Sequence, residues 1–451
     1  MEYLQIVQQL TFLVVLVAVG ILVYLRVAQI RNNILLGKAT DRNDRKEERL
    51  KAMLLIAFGQ KKMFDRPIVG AMHFVIYGGF LLINIEVLEI VLDGLFGTHR
   101  LFAPYLGVLY KLLVGFFEFL AFGVLAVCVV FLLRRNFIKL NRFQSPELKG
   151  FPALDANIIL ISEIFLMCAL FTMNAADSAL QLKTAGNEYL AAHYLPVGNF
   201  LISGLLTPIF KGFSAGELFA IERFAWWIHI IGILGFAIYV TYSKHLHIAL
   251  AFPNTYYSNL EPKGKFESMP EITKEVKSMM GLEVAETTEE PAPIGRFGAK
   301  DVRDLTWKNL MEAYTCTECG RCTSQCPANL TGKTLSPRKI MMDTRDRLEE
   351  LSENISIYGK DHDDGKSLYG DYISKEEVMA CTTCNACVEA CPVNISPLDI
   401  ILQMRRYVVM EEADTPASWN SMFANTENNF APWAFSPSDR FNWAEELKEK
   451  E

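Results

Sequence analysis

The chain has 451 residues, of which 51% are hydrophobic and 21% are charged, a balance too apolar for a purely water-soluble protein of this length. Residues 1–253 carry 22 Lys and Arg against 17 Asp and Glu, whereas residues 254–451 have a net charge of −12. An acidic C-terminal half argues against nucleic acid as a partner, because it would repel phosphates. The composition predicts a basic membrane domain followed by an acidic water-soluble part.

The first apolar segment runs from Leu10 to Leu25. No small-residue cleavage site follows it, so we expect a retained transmembrane helix and not a signal peptide. Four further segments are apolar and long enough to cross a bilayer: 67–92, 105–133, 154–180 and 217–243. The sequence therefore predicts a mainly α protein with a five-helix transmembrane domain over residues 1–253.

Basic residues are unevenly divided among the loops. Residues 31–66 contain ten Lys and Arg and residues 134–149 contain five, whereas residues 93–104 and 181–216 together contain three. By the positive-inside rule, the N-terminus lies outside and the fifth helix exits into the cytoplasm. We therefore expect a multi-pass protein of the bacterial inner (cytoplasmic) membrane, in contact with lipid.

Two shorter apolar segments lie between the predicted spans. Residues 50–58 repeat apolar side chains at helical spacing among basic ones, which predicts an amphipathic helix at the membrane interface. A solvated connector is the alternative. Residues 199–210 are apolar but too short to span, and we expect an interfacial or re-entrant piece on the outer side.

Six ionisable residues fall within the predicted spans, where an unpaired charge is costly and a functional role is the first hypothesis. They are Glu86, Glu89, Lys111, Glu118, Glu163 and Asp177. A polar pocket in the outer half near His229 would have these members: Asn84, Glu86, Lys111, Glu118 and Asn174. Carboxylates there could relay protons to a quinone. Pairing between helices or snorkelling is the alternative for Glu89 and Asp177.

The water-soluble part divides into three segments. Residues 254–300 are predicted to be a linker, within which 283–293 is acidic and contains proline. Residues 301–411 hold eight of the ten cysteines. Residues 412–451 form an aromatic tail with little periodicity, and we expect it to dock on a partner; packing on its own domain is the alternative. The other two cysteines, Cys128 and Cys168, are predicted to be inert packing residues within the third and fourth spans.

The cysteine-rich segment repeats the spacing C-x2-C-x2-C-x3-C-P, which is typical of [4Fe-4S] clusters in bacterial ferredoxins. In such proteins the fourth cysteine of each run ligates the other cluster. The spacing thus assigns cluster one to Cys316, Cys319, Cys322 and Cys391. It assigns cluster two to Cys381, Cys384, Cys387 and Cys326. Zinc prefers two C-x2-C pairs, and cysteines so close together rarely form disulfides. The thiolates require a reducing compartment, which again indicates the cytoplasm.

Electrons that enter a bilayer commonly pass through haem b held by two histidines. His229 and His247 are 18 residues apart, or five turns, so on one continuous helix they would share a face about 27 Å apart. His245 would then face elsewhere. His73 and His247 both belong near the cytoplasmic boundary, and we expect them to hold one haem b.

The segments that contain these histidines resemble those of known membrane protein families. The segment Y-S-K-H-L-H-I, with His229 and His73, resembles the dihaem gamma subunit of respiratory nitrate reductases. The stretch F-G-Q-K-K-M-F-D-R-P-I-V-G-A-M-H-F-V-I-Y-G-G-F is more similar to membrane Fe–S oxidoreductases related to heterodisulfide reductase, including electron-transfer-flavoprotein:menaquinone oxidoreductases. The resemblance covers roughly residues 50–445 and implies a haem b bundle followed by a two-cluster ferredoxin-like domain.

The resemblance also implies roles for individual residues. His73 and His247 match the ligands of the haem nearer the cytoplasm, and His229 matches one ligand of an outer haem. The partner of His229 would fall at Ile83, so one haem is expected and a second depends on another ligand. His99 and His193 in the outer loops could substitute, although solvated loop histidines are the simpler explanation.

Several relatives in this group continue into C-C-G domains, which this sequence does not contain. We therefore expect a cytoplasmic C-C-G-type Fe–S or flavoprotein subunit as partner. The predicted function is electron transfer between that partner, two [4Fe-4S] clusters, haem b and menaquinone. The alternative is quinol oxidation that feeds a cytoplasmic disulfide or sulfur-compound reductase. A non-enzymatic Fe–S membrane anchor or redox sensor is the alternative of another class.

Overall fold

A computed structural model describes residues 2–448 except 139, 186, 195, 196, 198, 199 and 283–295. This part of the chain is helical and contains no β-strand. Its α-helices, in chain order, are α1 (Glu2–Ile34), α2 (Lys46–Met53), α3 (Pro67–Phe96), α4 (Ala103–Leu106), α5 (Val108–Asn136), α6 (Phe151–Gln181), α7 (Glu188–His193), α8 (Ser203–Phe210), α9 (Ala215–Val240), α10 (His247–Tyr256), α11 (Pro270–Met279), α12 (Trp307–Thr315), α13 (Pro327–Leu330), α14 (Pro337–Tyr358), α15 (Lys375–Ala380), α16 (Ala386–Ala390), α17 (Pro397–Met410), α18 (Ala417–Asn429) and α19 (Asn442–Lys448). The predicted acidic linker at 283–293 lies outside the described residues.

Five of these helices, α1, α3, α5, α6 and α9, are long and apolar enough to cross a membrane, which confirms the predicted number of spans. Local signals explain several of their ends. Pro67 opens α3 and Gly97 closes it in the left-handed conformation, with φ +68°. Ser214 and Glu217 form a capping box at the start of α9.

The bundle is built on α6, which packs against both α5 and α9, while α3 packs against α5. Phe117, Leu170 and Ile230 lie in its buried core. Helix α1 lies at the periphery of the bundle and contacts its core with Phe12. The ring centroid of Phe12 is 5.5 Å from that of Trp226. Gly94 permits this approach, since a β-carbon there would lie 2.7 Å from the Phe12 ring. Most other side chains of α1 are exposed, as expected of a helix that faces lipid.

The cysteine-containing domain, residues 296–411, packs against one end of the bundle, which we name the module end. Ion pairs fix it there: Arg26 Nη2 is 2.7 Å from Glu349 Oε1, and Arg338 Nη2 is 2.7 Å from Glu147 Oε1. The two basic loops 35–66 and 137–150 lie at this end. The loops at 97–107 and 182–214 form the opposite end, which we name the outer end.

Helix α10 joins the two domains directly. Asn254 Nδ2 donates to the carbonyl oxygen of Val393 at 2.7 Å, and Lys308 Nζ donates to Asn254 Oδ1 at 2.8 Å. The predicted boundary between residues 253 and 254 thus falls inside a helix, because α10 belongs to the bundle at its start and to the cysteine domain at its end.

The two short apolar segments are helical. Helix α2 continues into a π-helical turn over Leu54–Phe58, with Leu50 and Phe58 exposed and Arg49 buried. The predicted helix is present, and its position at the membrane interface stays a prediction. Residues 203–210 form α8, which packs on α6 and leaves Leu205 and Ile209 exposed.

Most aromatic side chains of the tail are exposed. Helix α18 has no buried residue. The exposed aromatic side chains of the tail are Phe423, Phe430, Trp433, Phe435, Phe441 and Trp443. The start of the tail contacts the cysteine domain, since Asp414 Oδ1 lies 2.5 Å from Lys375 Nζ. Partner docking by the aromatic side chains stays a prediction.

Candidate functional site

The two cysteine runs have the same local structure. Cys316 follows the C-terminus of α12 and Cys381 follows that of α15, and both helices begin with a capping box, at Thr306 and Ser374. The second and fourth residues after each first cysteine have left-handed backbone: Glu318, Gly320, Thr383 and Asn385. This conformation turns successive backbone N–H groups toward one side of the loop. The shared turns explain how the repeated spacing gives two matched cradles.

The folded chain groups the eight cysteines as two sets of four. Cys322 interacts electrostatically with Cys319, Cys316 and Cys391, and also with Cys387 of the neighbouring set. Cys387 interacts in the same way with Cys326, Cys381 and Cys384. The fourth cysteine of each run therefore stands with the other run. This exchange is the arrangement that the ferredoxin spacing predicts for two neighbouring clusters.

The chemistry of the donors fits a cluster better than a single ion. Within the described residues, no three His, Cys, Asp or Glu side chains are close enough to hold one metal ion. A cubane attaches each cysteine to a different iron, so its ligands stand farther apart. Burial raises the pKa of Cys316 and Cys387 to about 12 and that of Cys391 to about 11. Such thiols stay protonated until a bound metal stabilises the thiolate.

A large cavity of about 440 Å³ begins in the middle of the bundle and reaches the cysteine domain. Most of its lining is apolar and comes from α3, α5, α6 and α9. Its chemically distinctive lining residues are His73, His229, His245, His247, Cys319 and Arg321. One continuous space thus joins the membrane histidines to a cysteine of the first run.

Two of the cavity histidines are oriented by backbone carbonyls. His229 Nδ1 is 3.0 Å from the oxygen of Leu166, and His247 Nδ1 is 3.0 Å from the oxygen of Lys244. A hydrogen bond of this kind fixes the ring and leaves Nε2 to bind a metal. His73 Nδ1 is buried without a hydrogen-bond partner in the part of the chain that the structure describes.

The prediction that His229 and His247 share one continuous helix is wrong. Helix α9 ends at Val240, Ser243 is extended, and His247 begins α10. Asp155 holds this bend, since its carboxylate accepts from Tyr239 Oη at 2.5 Å and from Ser243 Oγ at 2.6 Å.

His245, predicted to face elsewhere, instead lines the same cavity, because the bend rotates it inward. Its ring centroid lies 5.4 Å from that of His247. The signal that could have revealed the bend is Ser243, whose hydroxyl caps the next turn by accepting from the N–H of His245 at 3.1 Å.

The ionisable residues of the outer half are mostly paired. Arg100 donates to Asp177 and to Asn174, both at 2.8 Å. Glu89 accepts from Tyr110 Oη at 2.7 Å. Pairing between helices, one alternative given for Glu89 and Asp177, is what the structure shows for Glu89, whereas Asp177 pairs with Arg100 of the loop between α3 and α4.

The predicted polar pocket forms only in part. Asn174 Nδ2 donates to Glu118 at 3.1 Å, but Lys111 is exposed and does not join them. Both carboxylate oxygens of Glu86 are buried without a hydrogen-bond partner among the described residues. Glu163 and Asn84 line the large cavity instead.

The structure also shows where the remaining predicted histidines and cysteines lie. His99 and His193 line a separate cavity of about 70 Å³ at the outer end, so neither stands opposite His229. His99 is not solvated, since its Nε2 is 3.3 Å from Asp177 Oδ2. Cys128 is buried, whereas Cys168 is exposed, and the prediction of packing is wrong for Cys168.

Comparison with known proteins agrees with this picture. Residues 315–395 match a 4Fe-4S dicluster domain family, and residues 282–331 match a second family of the same description. The chain is 29% identical, over 98% of its length, to the probable iron-sulfur-binding oxidoreductase FadF of Bacillus subtilis. It is 27% identical, over 90% of its length, to the EtfAB:quinone oxidoreductase of Syntrophomonas wolfei. Over 32% of its length it is 26% identical to a dihydromethanophenazine:CoB–CoM heterodisulfide reductase subunit of Methanosarcina mazei, of which it covers 35%.

The chain spans 61% of the length of the B. subtilis relative and 55% of that of the S. wolfei relative. No solved structure matches it. The predicted resemblance to membrane Fe–S oxidoreductases related to heterodisulfide reductase is confirmed, as are the mainly α fold and the ferredoxin-like region that follows the five apolar helices.

Proposed function

We propose that this chain is the membrane electron-transfer subunit of a quinone-linked oxidoreductase. It would pass electrons between a cytoplasmic redox partner, two [4Fe-4S] clusters, haem b and menaquinone. The observation that supports this proposal is the cavity that runs from His229, past His73 and His247, to Cys319. When bound, these groups supply one-electron oxidation and reduction, and the protein contributes distance, burial and tuned potentials.

The cysteine sets would hold the two clusters. Cys316, Cys319, Cys322 and Cys391 would bind cluster one, and Cys381, Cys384, Cys387 and Cys326 would bind cluster two. The first set faces the bundle, since Cys319 lines the cavity. In the second set Cys384 is exposed, which suits a cluster that meets a soluble partner.

His73 and His247 would hold haem b. The His73 ring lacks a partner at Nδ1 and the His247 ring is held by the Lys244 carbonyl, so both can offer Nε2. Arg134 and Arg135 line the same cavity where α5 ends and would pair with the carboxylates of the porphyrin. His229 would hold a second haem only with a further ligand, since Ile83 lines the cavity where the resemblance places the partner histidine.

The quinone and the partner are inferred from chemistry and from the names of the relatives. Quinone reduction consumes protons as well as electrons, and Glu163 is a carboxyl group that lines the cavity within the bilayer. One relative is named an EtfAB:quinone oxidoreductase, which favours a flavoprotein or a C-C-G-type Fe–S subunit as the cytoplasmic partner. The aromatic tail would provide part of the docking surface.

The position of the charges supports one orientation. The two basic loops and the cysteine domain lie at the same end of the bundle. By the positive-inside rule this end would be cytoplasmic, in a bacterial inner membrane, with the N-terminus outside.

Electrons could also flow in the opposite direction, which the name of the relative that is a heterodisulfide reductase subunit favours. In that case menaquinol would be oxidised at the bundle and a cytoplasmic disulfide or sulfur compound would be reduced on a partner. The same residues would bind the same groups, and the midpoint potentials of the clusters would distinguish the two directions.

Haem b per polypeptide, measured from the reduced-minus-oxidised spectrum of the purified chain in detergent, tests the proposal. We expect about one haem, lost in His73→Ala. The matched control is His362→Ala, which removes an exposed histidine of the cysteine domain and should leave the spectrum unchanged. A second haem that is lost only in His229→Ala would mean that electrons can cross the bilayer through both haems. A wild-type chain with clusters but no haem would contradict it and leave the anchor or sensor function.

A further inference from the structure

Three of the cations beside the first set of cysteines are Lys62, Arg142 and Arg321, which we name the cationic group. Lys62 comes from the basic loop before α3 and reaches into the second cysteine run. Its Nζ is 3.2 Å from the carbonyl oxygen of Glu389 and 3.3 Å from that of Cys391. The membrane domain thus places a charge beside the cysteine that crosses over to complete the first set.

Arg321 lies within the first cysteine run and is buried. Its Nη1 donates to the carbonyl oxygen of Lys62 at 2.9 Å, which ties the run to the same basic loop. The guanidinium interacts electrostatically with Cys319 and Cys391. Lys62 and Arg321 therefore act on Cys391 from opposite domains.

Arg142 comes from the second basic loop, between α5 and α6, and also interacts with Cys319. Its Nε is buried without a hydrogen-bond partner in the described part of the chain. Burial, with Arg66 and Arg321 nearby, lowers the pKa of Arg142 to about 10, so the side chain remains charged at neutral pH. Bringing these arginines together is unfavourable unless a negative group lies between them.

The nearby carboxylates offset only part of this charge. Glu318 is paired with Lys244 and with Arg345, the latter at 2.9 Å. Asp65 is exposed and screened by solvent. Beside the second set of cysteines lies Arg405, whose Nη2 donates to the carbonyl oxygen of Cys381 at 2.8 Å.

We propose that the cationic group raises the reduction potential of the cluster held by Cys316, Cys319, Cys322 and Cys391. The inference rests on the proposed function, because it requires both clusters to be bound. On reduction this cluster gains one electron from its neighbouring cluster, and its net negative charge grows by one without a proton or a new bond. Nearby positive charge stabilises the reduced form and so raises the potential. The electron is thereby held at the cluster that faces the membrane cavity.

The test is a redox titration of the two clusters by electron paramagnetic resonance, using the purified full-length chain in detergent. Lys62→Gln, Arg142→Gln and Arg321→Gln should each lower one of the two potentials. A tenfold change in the reduction equilibrium, about 59 mV for one electron, is the expected size. Arg405→Gln should lower the other potential, which assigns the signals to their clusters.

Lys61→Gln is the matched control, since Lys61 is exposed next to Lys62, and it should move neither potential. If Arg321→Gln does not fold, Lys62→Gln still tests the inference, because Lys62 is only half-buried. Unchanged potentials, or equal shifts of both clusters in Lys62→Gln, would overturn the inference while leaving the proposed function in place. A wild-type chain that binds no pair of clusters would overturn both.

Discussion

Most buried polar groups at the outer end of the bundle are paired, whereas some at the module end lack a partner among the described residues. At the outer end Arg100 donates to Asp177, and Glu118 accepts from the backbone N–H of Ile202. Glu86 is an exception, because both its carboxylate oxygens are buried without a partner in the described part of the chain. At the module end the polar groups line an open cavity, and His73 and Arg142 keep buried nitrogen atoms unpaired. A closed network is what stability alone requires. Unpaired groups around a cavity indicate that a further group binds there.

Removal of a partner from the outer network should have the largest effect on stability. Arg100→Ala leaves Asp177 buried and without its ion pair, which should destabilise the folded chain by about 3–5 kcal/mol. Thermal unfolding in detergent measures the loss. The haem and iron content of the protein that remains folded should be unchanged. A stable variant that loses haem would contradict this prediction, because it would mean that the outer network supports haem binding and not stability.

The bend before His247 should depend on Asp155, a buried carboxylate whose hydrogen bonds are satisfied at the module end. Asp155→Ala removes the acceptor for Tyr239 and Ser243, and the unpaired donors should cost about 1–3 kcal/mol. Haem content should also fall, because the bend orients His247. Asp155→Asn, which keeps one acceptor oxygen, is the control and should retain more haem; equal loss in both variants would argue against the bend.

The stability of the folded chain should depend on pH through a carboxyl group of the cysteine domain. Burial, with Glu312 nearby, raises the pKa of Asp399 from 3.8 to about 7. Between these values the folded chain holds a proton that the unfolded chain has released. Stability should therefore fall as pH rises from about 4 to 7, by about 1 kcal/mol per pH unit. Unfolding midpoints across this range should decline in wild type and less in Asp399→Asn; parallel slopes would contradict the assignment.

Replacement of His73 should have the smallest effect on stability, although it should have the largest effect on function. His73→Leu should remove haem b, yet the haem-free protein should unfold within about 0.5 kcal/mol of haem-free wild type, because His73 Nδ1 has no partner to lose. His99→Leu is the comparison at the outer end. It breaks a contact with Asp177 and should destabilise the chain without affecting haem.

The sequence predicts best where a pattern is local. The five spans follow from uninterrupted apolar runs, and the pairing of Cys391 with the first cysteine run follows from a spacing that only two neighbouring clusters explain. The bend at Ser243 was not predicted, because one serine after an apolar run is a weak signal for the end of a helix. It depends on Asp155, nearly ninety residues away in the sequence.

The same limit applies to side chains within the spans. The pairing of Arg100 with Asp177 depends on how a loop folds back onto α6, which spacing along one helix cannot show. Lys111 and Glu118 share a spacing of seven residues, yet only Glu118 faces the core. Lys111 reaches the surface because long charged side chains can do so near a helix end.

The proposed function requires that the cavity histidines connect the cysteine domain to menaquinone. To test this connection, the purified chain is reduced, a menaquinone analogue is added, and the absorption of the haem and of the Fe–S clusters is followed together. Both should be reoxidised in wild type, whereas the clusters should stay reduced in His73→Ala. Reoxidation of the clusters at the same rate in His73→Ala would show that electrons reach the quinone without the haem held by His73.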